Sequence, residues 1–208
     1  MCTETFLRLP EEKRNRFLDA AWEEFTTTPL KDASINKIVR RAKIPRGSFY
    51  QYFSDKDDLF AYLQGIVLKH LISEYRGVMK QADGDLFQTQ ILCFERIASL
   101  GSAADVLFDR CIRILRLNPV LLPQVAMENQ PVCHILDAVW DQIDTSKLRS
   151  QEHTFVSQTF MLTLVSLAFT VMDCLTAPEN VEQYRQALLT RLDIIKRGSL
   201  AESSRESI

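Results

Sequence analysis

Lys43 to Leu59 reads KIPRGSFYQYFSDKDDL. Pro45 comes early in the run, Gly47 follows it, and four rings, Phe49, Tyr50, Tyr52 and Phe53, crowd into five residues. Upstream, Ser34 is a good helix cap. Ile35, Ile38, Val39 and Ala42 follow it at the i, i+3, i+4, i+7 spacing of a short amphipathic helix. Lys43-Ile44 leaves room only for a tight turn. Pro45 then opens a second short helix that ends by Phe53, where Phe49 and Phe53 point inward and anchor a segment too short to hold itself. Ser54 with Asp57 three residues on reads as the capping box of another helix. Leu59, Leu63, Ile66, Val67 and Leu71 carry that helix towards Lys80, roughly 38 Å at 1.5 Å per residue.

Two short helices across a tight turn make a helix-turn-helix, whose second helix enters a DNA major groove. That role explains the composition. Gly47 lets backbone approach DNA closely. Arg46 can grip guanine with two hydrogen bonds. Ser48, Tyr50, Gln51 and Tyr52 offer polar tips. Lys37 and Lys56 sit in first helical turns, where the dipole disfavours cations unless a phosphate is bound. The charge distribution agrees. Residues 33–54 hold five basic side chains and no acidic one, so the rest of the chain carries a net −7 against −2 for the whole.

Working outward, Glu11 and Glu12 after Pro10 mark the first helix. Phe17, Ala20, Ala21, Trp22 and Phe25 give it an apolar face, and TTTP at 26–29 stops it. After the long fourth helix, ADGD at 82–85 is a turn. Helices are expected from there to about residue 100, at 103–117, at 119–143 with breaks near Pro123 and Pro131, at 151–176 and at 179–197. Six glycines and seven prolines in 208 residues suit an all-α protein. Five scattered cysteines without a CxxC read as reduced, mostly buried thiols. MCTETFLRLPEEKRNR lacks an apolar signal core, so a cytoplasmic location is expected. Phe155 to Leu175 is nearly long and apolar enough to span a bilayer. Its six Ser, Thr and Gln residues and the following Asp173 favour a helix buried in protein, and no membrane partner is expected.

ASINKIVRRAKIPRGSFYQYFSDKDDLFAYL resembles the DNA-binding segment of the tetracycline-repressor-like (TetR) family. The matching positions are Ser34, Ile38, Ala42, Ile44, Gly47, Ser48, Phe49, Tyr50, Phe53, Lys56 and Leu59, within about residues 10–65. Two positions depart from the pattern: Lys43 stands where the turn glycine is usual, and Pro45 replaces a polar cap. A left-handed Lys43 costs about 1 kcal/mol. The resemblance implies a helix-turn-helix DNA-binding domain over 1–55 and a helical ligand-binding and dimerisation domain over 56–208. It implies DNA contacts by Ser34, Asn36, Arg46, Gly47, Ser48, Tyr50, Gln51, Tyr52 and Lys56, to which the dipole adds Lys37. Arg46 and Gln51 are the candidates for base readout, and Tyr50, Tyr52 and Lys56 for phosphates.

The resemblance also implies a double-stranded DNA operator, a homodimer through the last two long helices, and an apolar or amphipathic small-molecule effector. Phe155 to Leu175 is more apolar than one face requires, and Tyr184, Leu188, Leu192 and Ile195 form a further stripe. Candidates for the effector pocket are Phe87, Phe94, Phe108, Met127, Trp140 and Phe160. His134 and Asp137 beside Cys133 are a weaker pattern for a metal or thiol sensor. No cofactor is implied. A ligand-responsive repressor is the leading reading, and an activator or a ligand-independent regulator is the runner-up. An all-α metal enzyme is opposed by three histidines, His70, His134 and His153, that never pair at helical spacing, and by the lack of HExxH or a Gly-rich phosphate loop.

Overall fold

Each helix starts and stops where local chemistry dictates. The computed structural model of the chain describes residues 3–99, 106–118 and 130–201. Its helices are α1 (Glu4–Leu7), α2 (Glu11–Phe25), α3 (Ile35–Arg41), α4 (Arg46–Tyr52), α5 (Lys56–Gln81), α6 (Leu86–Ser99), α7 (Val106–Leu117), α8 (Gln130–Val139), α9 (His153–Thr176) and α10 (Val181–Ser199). Single 3-10 turns cover Leu30–Asp32, Trp140–Gln142 and Pro178–Asn180. Among the described residues there is no strand, only an isolated bridge between Leu148 and Leu200. The chain is all-α.

Prolines at 10, 29 and 45 stand one residue outside helices, at the cap. Each lacks a donor that the cap does not need. The start of α5 differs from the expected Ser54–Asp57 box. Asp55 caps it, accepting the Asp58 N–H at 2.8 Å, while the Asp58 carboxylate takes both the N–H and the hydroxyl of Ser54 at 3.1 Å. The reciprocal pattern survives, shifted by one residue.

The chain forms two packing units. The first is Met1–His70 with Asp105–Leu122, and the second is Leu71–Ala104 with Pro123–Ile208. Neither follows the sequence segments 1–55 and 56–208, because α7 packs with the first unit. There Ile114 is buried, Arg110 lies 5.2 Å over the Trp22 ring and 3.2 Å from Asp19, and the Asn118 side chain accepts the Leu30 N–H at 2.9 Å. The core of this unit is aromatic: Phe6, Phe17, Phe25, Phe49, Phe53 and Phe60 are all buried. Phe17 and Phe53 stack with centroids 5.8 Å apart, and Phe6 meets Phe53 at 4.9 Å. Large rings give seven-residue helices the buried area that propensity cannot supply.

In the second unit α9 packs on α6 and α10. It is long and apolar enough to cross a membrane by length and composition. Here its Thr159, Thr163 and Thr170 are buried in a bundle, each returning its hydroxyl to a carbonyl three or four residues back. The stripe expected on the last helix faces inward: Leu188 and Leu192 are core, with Tyr184 and Ile195 packed against it. The outward apolar side chains are others, Leu162, Phe169, Leu189 and Ile194. Of the pocket candidates, Phe87, Phe94 and Phe160 lie in one core cluster, whereas Trp140 is exposed and stacks on His153 at 4.4 Å. A cavity of about 10 Å³ touches Phe87, below Asp144, Lys147 and Leu200. Met127 and the Phe108 side chain lie outside the described residues.

Cys93 and Cys174 are buried free thiols, and Cys111 is half-buried. Burial pushes the Cys93 thiol up to about 12 and Cys111 to about 11, so neither forms much reactive thiolate near neutrality.

Candidate nucleic-acid interface

The turn between α3 and α4 decides how the two helices sit. Lys43 is left-handed, φ 54. Its N–H donates to Arg40 O at 3.2 Å, and the Ile44 N–H reaches back to Val39 O at 3.0 Å. These are the two bonds of a Schellman motif, with Ile44 buried as the hydrophobic plug. A lysine does here what the expected glycine would do.

At the other end, α4 is held by residues 3–7, which precede the first helix expected from the sequence. Thr3 caps α1, and from the same position its N–H donates to Tyr52 O at 3.1 Å and its hydroxyl to Gln51 O at 2.6 Å. Two orphan carbonyls at the end of α4 are thereby satisfied. Phe6 on α1 packs on Tyr52 and Phe53. The signal was present in Thr3-Glu4-Thr5-Phe6-Leu7, an N-cap and an acid before apolar residues, but four residues are too few to show periodicity.

The exposed edge of α3 and α4 carries an ordered polar group. The Arg46 guanidinium donates to Asn36 Oδ1 on α3 and, at 3.1 Å, to the Tyr50 hydroxyl, with its carbon 5.8 Å from the Tyr50 ring centroid. All three side chains are exposed, as are Gln51 and Gly47. A Cβ built on Gly47 would meet nothing within 4 Å, so the fold itself does not require glycine there. Ser48 is half-buried.

Other expected contacts have different surroundings. Tyr52 is only 3% exposed, its ring 5.9 Å from Phe17. With Phe49 and Phe53 it forms the inward face at i, i+3, i+4, which leaves its ring no place among the polar tips of α4. Lys56 is half-buried and donates to Lys31 O at 2.6 Å, at the end of the 3-10 turn. Lys37 lies 3.8 Å from Glu24. Both lysines therefore already have anionic or carbonyl partners at the helix starts, which removes the frustration inferred from the dipole alone. Ser34 occupies the N-cap position of α3, but its hydroxyl makes no capping bond. Instead the Ser34 N–H donates at 2.9 Å to Glu24, a carboxylate 2% exposed on α2. Glu24 was not anticipated. It links α2 to the first turn of α3 and neutralises Lys37 from below.

Residues 17–63 match the model for bacterial regulatory proteins of the tetR family. That segment, and not the chain as a whole, is similar to the tetR family in sequence. HbdR, an HTH-type transcriptional regulator of an Aromatoleum strain, is 32% identical over 87 residues, which is 41% of this chain and 36% of HbdR. The chain thus spans about a third of the length of the curated relatives it matches first. Across nearly the whole chain the likeness is one of fold. A transcriptional regulator from Rhodococcus is 18% identical with a TM-score of 0.62, covering 89% of this chain and 96% of its own. SmeT of Stenotrophomonas maltophilia, in a complex with triclosan, is 15% identical with a TM-score of 0.60, covering 93% and 94%. These relatives are named as transcriptional regulators or, for SmeT, as a repressor. Among the described residues no cluster of three metal-ligating side chains occurs, and His134 and Asp137 are exposed.

Proposed function

We propose that the chain is a cytoplasmic transcriptional repressor that binds a palindromic operator as a homodimer and is released by a small-molecule effector. One observation carries the reading: Arg46 and Tyr50 on the recognition helix α4 are bonded and exposed, Asn36 on α3 is bonded to Arg46, and the fold does not need Gly47 beside them. Arg46 and Gln51 read base edges, and Tyr50, Ser34 and Ser48 position phosphates, with Asn36 orienting Arg46. Lys37 and Lys56 reach phosphate only by sharing it with Glu24 or the Lys31 carbonyl. Tyr52 supports the helix from inside.

Dimerisation uses α9 and α10. Leu162 is 54% and Phe169 64% exposed, seven residues apart on one helix face. An apolar face of that kind favours burial against a second copy. The dimer would set two recognition helices about 34 Å apart. SmeT is named as the repressor of a multidrug efflux pump and its structure holds triclosan, which supports an effector of apolar or amphipathic character. Effector binding in the second unit shifts the population away from the operator-matched spacing, with a coupling of about 1–3 kcal/mol.

The test is operator selection from random DNA by the purified chain, followed by titration beside Arg46→Ala and Gly47→Ala. The wild type is expected to prefer the selected site by about 10³ or more over non-specific DNA. Arg46→Ala should lose that preference. Gly47→Ala should keep or raise thermal stability, since alanine suits a helix better by up to about 1 kcal/mol, yet bind DNA at least about tenfold more weakly. Equal DNA binding by all three proteins would overturn the reading.

A further inference from the structure

Inside the second unit, three polar side chains meet in an apolar core. The Gln90 amide nitrogen on α6 donates to the Tyr75 hydroxyl on α5 at 2.7 Å and to Thr163 Oγ1 on α9 at 3.2 Å. Thr163 passes its own proton to Phe160 O at 2.9 Å. Gln90 and Thr163 are 0% exposed and Tyr75 is 7%. Both amide hydrogens of Gln90 are thus spent, while its Oε1 is buried and has no partner among the described residues. Turning the amide over would let the Tyr75 O–H donate to its oxygen and would leave the nitrogen at the open end instead. Buried polar groups are almost always satisfied, so an amide end left open at the meeting point of three helices demands an explanation.

The walls are apolar. Phe94 lies one turn beyond Gln90 on α6, and the Phe160 ring stands against Tyr75 with centroids 6.0 Å apart. Desolvation drives the Tyr75 phenol far above its ordinary pKa, so it remains an O–H. Among the described residues no charged side chain hydrogen-bonds to the trio. A carboxylate or ammonium placed here would be buried against neutral groups alone, at prohibitive cost. A neutral hydroxyl or N–H donor satisfies Gln90 Oε1 without burying a charge.

We propose that Gln90, with Tyr75 and Thr163, is the hydrogen-bonding point of the effector site, and that it takes a neutral, largely apolar molecule bearing one hydroxyl or N–H donor. This rests on the ligand-responsive reading above and narrows it to a chemical class. A buried water has the same hydrogen-bonding capacity, so the test must separate the two.

Calorimetric titration of the full chain with 2-naphthol beside 2-methoxynaphthalene, and indole beside 1-methylindole, does so. The donor member of each pair is expected to bind at least about tenfold tighter. Gln90→Leu should erase that preference, at some loss of melting temperature because the buried Tyr75 hydroxyl and Thr163 Oγ1 lose their donor. Gln90→Met, of similar length, repeats the measurement should the leucine variant not fold. Absence of binding by both donor compounds, or a preference that survives either variant, overturns the proposal and leaves a hydrated polar core. Operator binding measured on the same samples keeps the two readings apart. Intact DNA binding without the donor preference sinks the effector site alone. Donor preference without DNA binding sinks the repressor and spares the site.

Discussion

The two helix ends at Lys43 and at Asp83-Gly84 use the same device under different constraints. After α3, Lys43 takes φ 54 and two bonds return to Arg40 and Val39. After α5, Asp83 takes φ 50, its N–H donates to Lys80 O at 3.3 Å, and the Gly84 N–H donates to Met79 O at 3.0 Å. Both are Schellman turns whose left-handed residue is not glycine. They differ one residue later. Ile44 plugs a hydrophobic pocket beside an open surface, whereas Gly84, φ 77, is pressed against the backbone at 142–144 and accepts the Asp144 N–H at 3.0 Å. A strained turn on a free surface costs only its own backbone energy. One wedged against another chain segment fixes the identity of its residue.

Gly84→Ala should break the second turn hardest. Its Cβ would stand 2.2 Å from Gln142 O and 2.7 Å from Asp144 N, both backbone atoms that cannot swing aside. A loss of about 3 kcal/mol or more is expected, at the upper end for single substitutions. Denaturant unfolding followed by circular dichroism measures it, at fixed protein concentration because a dimer's stability depends on it. A loss below that of an ordinary surface change would mean that the 142–144 segment moves freely.

In the first unit the comparable weak point is a side chain. Glu24→Ala leaves the Ser34 N–H and Lys37 without their shared carboxylate. About 2 kcal/mol should be lost. The loss should fall on the first unit, with Trp22 fluorescence reporting it. Glu24→Gln, which keeps an acceptor, should recover most of it.

Legibility in the sequence follows the same divide. The helix-turn-helix was readable because a capped helix, a fixed turn and crowded rings are local, and a left-handed Lys43 was one of the turn geometries the sequence left open. Tyr52 was misplaced because its hydroxyl outweighed the i, i+3, i+4 spacing with Phe49 and Phe53 that puts it inside. The pairing of α7 with the first unit rests on Arg110 meeting Asp19 and Trp22, contacts about ninety residues apart. No local pattern encodes them. Likewise Leu188 and Leu192 look alike as core or as interface, because apolar periodicity gives a face but not its partner. Gln90 was invisible for the opposite reason: at the end of the polar run Gln88-Thr89-Gln90 it reads as solvent-facing until its neighbours are known.

Lys43→Gly sharpens the comparison from the other side. Removing the Cβ relieves a left-handed strain of about 1–2 kcal/mol, and the added freedom of the unfolded chain returns about 0.5–1. A net gain of about 0.5–1 kcal/mol is expected, read as a higher unfolding midpoint. The removed charge lies on the turn of the reading head, so DNA affinity should lose part of its salt dependence at the same time. A glycine that destabilises would show that Lys43 holds the turn by its side chain rather than merely tolerating it.

The smallest effect concerns the segment that wedges Gly84. Asp144 accepts the Ser146 N–H at 2.9 Å, and bonds from the Ser146 side chain and backbone hold its carboxyl below the usual carboxylate range, with Lys147 adding to the effect. A carboxyl whose pKa is lower folded than unfolded contributes stability above its unfolded value, about 3.9. That contribution fades as pH falls through the folded value. The residue is half-buried at the edge of the segment, so solvent still screens much of the interaction and the contribution is about a few tenths of a kcal/mol. Between pH 5 and 3 the wild type should therefore lose slightly more stability than Asp144→Asn, whose amide can still accept the Ser146 N–H but does not titrate. The converse difference at acid pH would place the strain of the second turn in Asp144 itself. Identical curves would leave the grip on Gly84 to the backbone alone, where the Asp144 N–H bond to Gly84 O already holds it.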